Sequence, residues 1–89
     1  MLTAAERKAL KARAHKLEPV VIIGAKGLTD EVVKEVDLAL KAHELIKVRA
    51  PSLERDARAV AFQALRERTG AEAVQEIGKV CVLYRKRDD

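Results

Sequence analysis

Apolar residues recur along the chain with two different periods, and the segments with a period near 3.6 predict three helices. The first predicted helix runs over about 4–15, and its opening residues, TAAE, have the spacing of a capping box. The second runs over 30–43 after Thr29, a good N-cap residue. The third runs over about 54–68 and is followed by a glycine, which indicates a C-cap.

Each predicted helix has one apolar face that we expect to pack against a sheet. A basic stripe beside the face of the first helix comprises Arg7, Lys8, Lys11 and His15. We expect His43, at the end of the second helix, to be a packed residue rather than a general base, because no catalytic partner can be proposed for it. The inward residues are predicted to be Leu10, Ala14 and Leu17 in the first helix, Val32, Val33, Val36, Ala39 and Leu40 in the second, and Ala57, Val60, Ala61 and Ala64 in the third.

Four further segments have the patterns of β-strands. VVII, at 20–23, is β-branched throughout, which predicts a short strand buried on both faces. LIKVRA, at 45–50, alternates apolar and basic residues and predicts a half-buried strand. AVQEI and KVCVLYRK, which meet at Gly78 and Lys79, predict two short strands in a tight hairpin.

These elements predict an α/β fold with the order α-β-α-β-α-β-β. The β-α-β unit over 20–48 should place its two strands parallel with a right-handed crossover, and the hairpin adds an antiparallel pair. A mixed four-stranded sheet packed by helices follows. With 89 residues the chain is long enough for one modest core, so we expect a single domain over 1–89.

Basic residues are concentrated at both ends of the chain, whose net charge is +4. Residues 1–16 carry five basic residues against one acidic residue, residues 79–87 carry four basic residues and no acidic one, and the middle is slightly acidic. This distribution favours a polyanion such as nucleic acid as the partner, although a solubilising surface has a similar composition. Aromatic residues make up only 2%, so few rings are available to stack on bases.

The sequence lacks the motifs of common catalytic and cofactor sites. Its clustered glycines fit neither the P-loop GxxxxGK[ST] nor the dinucleotide fingerprint GxGxxG. His15, His43 and Cys81 have no metal-binding spacing, and Cys81, within KVCVLY, is expected to be a small core residue. No signal peptide or membrane span is recognised. We therefore expect a cytoplasmic, non-enzymatic protein with no cofactor, metal, small-molecule substrate or membrane contact.

GAKG, from Gly24 to Gly27, lies between the first predicted strand and the second predicted helix. In a structural interpretation, the glycines supply the dihedral freedom that a tight connection needs. In a functional interpretation, the missing side chains let a nucleic-acid backbone come close, the helix N-terminus offers N–H groups to phosphate, and Lys26 adds a mobile charge. KH modules use a GXXG loop in this way. The four residues alone do not separate the two interpretations.

Four segments that cover essentially the whole chain carry a more specific signal: LTAAERKALKARAHKLEPVVIIGAKGLTDEVV, HELIKVR, TGAEAVQEIGK and VLYR. Together and in this order they resemble the CRM domain family (chloroplast RNA splicing and ribosome maturation), in particular its stand-alone bacterial YhbY-like members. The resemblance implies an RNA-binding domain, a fold like that of the C-terminal domain of translation initiation factor three, association with precursor large ribosomal subunits, and no catalysis. It also implies a basic surface on the first helix, with the closing strand as a further source.

We therefore predict a protein that binds structured ribosomal RNA and takes part in assembly of the large ribosomal subunit. The residues predicted to contact RNA are Gly24, Ala25, Lys26 and Gly27 in the loop and Arg7, Lys8, Lys11 and Arg13 on the first helix. An alternative from a different class stays open at this point. In it, the chain is a protein-interaction module that docks on a ribosomal protein or assembly factor, and its charges form a solvated surface.

Overall fold

The computed structural model describes residues 2–87 and contains three helices and four strands in the predicted order. The elements are α1 (Ala4–Ala14), β1 (Pro19–Ile22), α2 (Asp30–His43), β2 (Leu45–Arg49), α3 (Arg55–Thr69), β3 (Glu72–Ile77) and β4 (Val80–Tyr84). In this part of the chain no helix is both long enough and apolar enough to span a membrane.

The helix starts follow the local sequence signals. At α1 the Thr3 backbone N–H donates to Glu6 Oε1 at 3.0 Å and the Glu6 N–H donates to Thr3 Oγ1 at 3.1 Å, which confirms the capping box. At α2 the Val32 N–H donates to Thr29 Oγ1 at 3.2 Å. Gly70 ends α3 with a left-handed backbone, as its C-cap position predicts.

The four strands form one mixed sheet in the order β1-β2-β4-β3. The β1–β2 pair is parallel, and the β2–β4 and β3–β4 pairs are antiparallel, so the predicted parallel pair and the predicted hairpin are confirmed. Helices α2 and α3 cover one face of the sheet and enclose the main core, whose largest buried side chains are Phe62, Ile23, Leu40, Ile46, Leu65 and Leu83. Helix α1 covers part of the other face, over Leu45, Val74 and Val82.

The inward face predicted for α3 is largely wrong. Of the predicted residues only Ala61 is buried, whereas Val60 is 68% exposed and Ala57 also faces solvent. The helix turns inward the side that carries Phe62 and Leu65, because these side chains remove much more apolar surface from water than alanines do.

The prediction that the first strand is buried on both faces is also wrong. Val21 and Ile23 are buried, but Val20 is 51% exposed and Ile22 is 59% exposed. Strand β1 lies at the edge of the sheet, and α1 packs mainly against β2 and β3 on the opposite face from α2, which leaves much of that face of β1 exposed. His43, predicted to be packed, is exposed, because it is the last residue of α2 and the chain turns away into β2 at Glu44.

Cys81 is buried in the main core, as predicted. Burial, and after it the nearby Glu76 carboxylate, raises the pKa of its thiol to about 12. The side chain therefore serves packing and not thiolate chemistry.

Candidate nucleic-acid interface

The GAKG loop (Gly24–Gly27) is a tight turn at the carboxyl end of β1. The Ile23 N–H donates to the Arg49 carbonyl at 2.8 Å, and the Gly27 N–H donates back to the Gly24 carbonyl at 3.0 Å. Gly27 has a φ of 79°, in the left-handed region that favours glycine. Gly24 lies outside that region, and a Cβ placed on it would have no atom of residues 2–87 within 4 Å apart from those of its chain neighbours. Only Gly27 is thus required by the turn itself.

Lys26, between the two glycines, is exposed and makes no ion pair with any residue in 2–87. The helix that follows is less free to bind an anion. Thr29 already occupies one of its N-terminal N–H groups, and Asp30 and Glu31 place two carboxylates in the first turn. The positive charge at this loop therefore comes from Lys26 more than from the dipole of α2.

The four basic residues predicted on α1 differ in their availability. Lys8 and Arg13 are exposed and Lys11 is half-buried. The Arg7 guanidinium donates to the Ala73 carbonyl and so ties α1 to β3. At 100° per residue, Arg13 lies on the opposite flank of the helix from Lys8 and Lys11. The predicted residues therefore do not form one stripe, and Arg7 has a structural role.

The basic residue that follows the closing strand, Arg85, is less available to a partner than the sequence indicates, because it is paired within the protein. Arg85 donates to Asp37 Oδ1 at 2.7 Å and to the Thr69 carbonyl at 2.7 Å, joining the end of β4 to α2 and α3. Arg85, and after it Lys41, lowers the pKa of the Asp37 carboxyl. The Arg85 guanidinium therefore stabilises the fold through these contacts.

Three basic residues that were not among the predicted contacts lie on β2 and in the β3–β4 turn. Two of them, Arg49 and Lys79, are at the end of the sheet where the GAKG loop is, whereas Lys47 is in register with Pro19 at the start of β1. Lys47 and Arg49 are on β2, and Arg49 is in register with Ile22, two residues before Gly24. Lys79 is exposed in the β3–β4 turn, where its carbonyl accepts the Ala50 N–H at 2.9 Å. The alternation in LIKVRA already indicated the outward face of β2, but only the strand order brings that face beside the loop.

A shallow groove of about 540 Å³ lies between the GAKG loop and α3. Its wall includes the exposed apolar side of α3 at Ala57, Val60 and Ala64, and Lys26 lies on the loop side. The residues wrongly predicted to be core therefore form an apolar surface beside the loop.

No group of three or more metal-ligating side chains occurs within residues 2–87. His15 is the C-cap of α1 and His43 ends α2, and neither belongs to such a group.

Comparisons with known proteins agree over nearly the whole chain. The family profile of the CRS1/YhbY (CRM) domain matches residues 2–85. A Haemophilus influenzae protein named RNA-binding protein is 40% identical over 88 residues, which cover 99% of this chain and 89% of that protein. The probable RNA-binding protein YqeI of Bacillus subtilis is 38% identical over 87 residues, with coverages of 97% and 90%. The solution structure of a Staphylococcus aureus protein has a TM-score of 0.85 and 34% identity, and the match covers 100% of this chain and 93% of that one. The chain therefore belongs to the CRS1/YhbY (CRM) domain family.

Proposed function

We propose that this protein binds RNA without catalysing a reaction, and that the GAKG loop is its central contact. The observation that carries the proposal is the open surface at Gly24 and Lys26. Within residues 2–87, no atom beyond the chain neighbours lies within 4 Å of a Cβ placed on Gly24, and the exposed Lys26 has no ion-pair partner. Two of the sequence relatives are named RNA-binding protein and probable RNA-binding protein, and these names support RNA as the polyanion.

The RNA is ribosomal RNA of the precursor large subunit, and the protein acts in the cytoplasm as an assembly factor. The family resemblance supports this finer assignment. The sugar-phosphate backbone lies against Gly24–Gly27, and Lys26, Lys8 and Lys11 neutralise phosphates around it. Because phosphate contacts position a protein on RNA without reading its sequence, recognition depends mainly on RNA shape.

The direct test of the loop is RNA binding as a function of salt. Each phosphate neutralised contributes about 0.7 to 0.9 to the slope of log affinity against log salt. Lys26→Ala should lower the affinity for a ribosomal RNA fragment and reduce the slope by about that amount. Lys34→Ala is the matched control, because Lys34 is exposed on α2 and its loss changes the net charge equally. Equal affinities for Lys26→Ala and the parent would remove the loop from the interface.

In-cell crosslinking tests the identity of the RNA. The proposal expects crosslinked fragments to map to precursor ribosomal RNA of the large subunit. Nuclease treatment of a ribosomal-particle fraction tests the alternative of a protein-interaction module, because retention on protein components after the RNA is digested would favour that alternative.

A further inference from the structure

One row of side chains that crosses the strands at the end of the sheet faces solvent, although α1 covers other residues on the same face of the sheet. The pairings Ile22 with Arg49, Arg49 with Val80, and Val80 with Ile77 place these four residues side by side across all four strands. We name these four residues the end row. Ile22 is 59% exposed and Ile77 is 61% exposed, Arg49 is exposed, and Val80 is half-buried.

The end row lies on the same face of the sheet as α1. The chain neighbours of its members, Val21, Ile23, Val48 and Cys81, are buried in the main core on the α2 and α3 side, so alternation turns the row outward. Helix α1 packs over Leu45, Val74 and Val82 and leaves the row open. A notch of about 220 Å³ separates the helix from the row, and its lining includes Lys11, His15 and Lys47 and, among the described residues, no carboxylate.

Resting on the proposed function above, we propose that the end row binds unpaired nucleotides of the same RNA whose backbone meets the GAKG loop. The charge of the surface selects a polyanion, because Arg49, Lys47 and Lys79 have no ion-pair partner within residues 2–87. The end row is continuous with the GAKG loop, since only one residue separates Ile22 from Gly24.

The mixture of apolar and guanidinium groups in the end row suits unpaired nucleotides better than a duplex. The faces of bases in a duplex are stacked on one another and cannot lie on a sheet, whereas splayed bases stack on guanidinium planes and on apolar side chains. The end row presents Arg49 between Ile22 and Val80 on adjacent strands. The absence of aromatic rings in the row makes each contact weaker than in aromatic stacking platforms, and not sequence-specific.

The test compares a single-stranded oligouridine with a blunt RNA duplex of the same length. The variants are Arg49→Gln and the double variant Ile22→Thr/Ile77→Thr, in which threonine keeps the strand propensity. Arg55→Gln and Leu38→Gln are matched controls, because Arg55 is exposed on α3 and Leu38 is 65% exposed on α2. Thermal melting of each variant confirms that the fold is kept.

We expect the isoleucine double variant to bind oligouridine about five- to tenfold more weakly with an unchanged salt slope, because apolar contact releases no counterions. Arg49→Gln should weaken the same binding and reduce the slope by about 0.7. Duplex binding should be unchanged in both, whereas Lys26→Ala should weaken binding of both probes.

Three outcomes would overturn this inference, and they are distinguishable from one another. If both row variants bind oligouridine like the parent while Lys26→Ala binds more weakly, the row has no role in RNA binding and the proposed function stands. If the parent itself binds neither probe, the proposed function fails, and this inference with it. If the row variants keep RNA affinity but no longer associate with nuclease-treated ribosomal particles, the row docks a protein.

Discussion

Replacing each glycine of the GAKG loop separately tests how the loop meets RNA. Gly27 has a φ of 79°, so Gly27→Ala should lower the free energy of unfolding by about 1–2 kcal/mol, the cost of a left-handed residue with a Cβ. Gly24 is not left-handed, and a Cβ on it meets no atom of the described residues within 4 Å beyond its chain neighbours. Gly24→Ala should therefore change the free energy of unfolding by less than about 0.5 kcal/mol.

Although Gly24→Ala should cost less stability than Gly27→Ala, it should weaken RNA binding directly. The alanine methyl at Gly24 fills the open space through which the RNA backbone would approach, although it leaves the fold intact. We expect Gly24→Ala to weaken binding about tenfold, which corresponds to about 1.4 kcal/mol. This variant removes no charge, so the salt slope should stay that of the parent, unlike the slope of Lys26→Ala.

Urea denaturation followed by circular dichroism gives the unfolding free energy and its m value, and fluorescence anisotropy with a labelled ribosomal RNA fragment gives the affinity. Ala59→Ser is a control for a small change at an exposed alanine outside the proposed interface, on α3. A well-folded Gly24→Ala variant that binds RNA as tightly as the parent would refute close approach at this glycine, and Lys26 would then be the main contact of the loop. A loss of more than about 1 kcal/mol of stability in Gly24→Ala would refute the loop geometry itself.

Three further measurements test the core, the buried thiol and the ion pair that joins β4 to α2. Phe62→Ala should lower the free energy of unfolding by about 3–5 kcal/mol in urea, whereas Val60→Ser on the exposed side of the same helix should change it by less than about 0.5 kcal/mol. Cys81, whose pKa is raised to about 12, should react with a disulfide-exchange reagent at pH 8 at least about a hundredfold more slowly in the native protein than in the unfolded chain, and equal rates would contradict its burial. Arg85→Ala should cost about 1 kcal/mol at neutral pH, allowing for solvent screening of a partly exposed pair. Because Arg85 lowers the folded-state pKa of Asp37, this contribution is present above the unfolded pKa and disappears as the pH falls through the folded pKa, so an unchanged difference at acidic pH would contradict the pair.

Signals that act within a few residues were sufficient to predict most of the fold. The cap at Thr29 follows from its own hydroxyl and the next turn of backbone, and the hairpin follows from the two residues between its strands. The inward side of α3 could not be settled in this way, because the alanines and Val60 make a second apolar stripe. The choice between the stripes depends on how much area Phe62 and Leu65 bury against the sheet.

The exposure of β1 and the extent of the candidate interface depend on strand order, which local patterns do not determine. A run of β-branched residues is the same sequence at the edge of a sheet and at its centre. In the order β1-β2-β4-β3, the edge position of β1 leaves Val20 and Ile22 exposed, and its pairing with β2 places Arg49 beside the loop. The loop itself was found from its own glycines, whereas Lys47, Arg49 and Lys79 needed the topology.

The direction from which RNA can approach depends less on the net charge than on which basic side chains are already paired with carboxylates. Helices α2 and α3 together carry six acidic and six basic residues, and Arg68 and Arg85 on that side of the molecule are paired with Asp30 and Asp37. Helix α1 carries four basic residues and one acidic residue. The basic residues without an ion pair in the described part of the chain include Lys8, Lys11, Lys26, Lys47, Arg49 and Lys79. A polyanion is therefore attracted to the α1 face and to the end of the sheet that carries the loop, and gains little from the opposite face, where each phosphate would compete with carboxylates already bound to arginine.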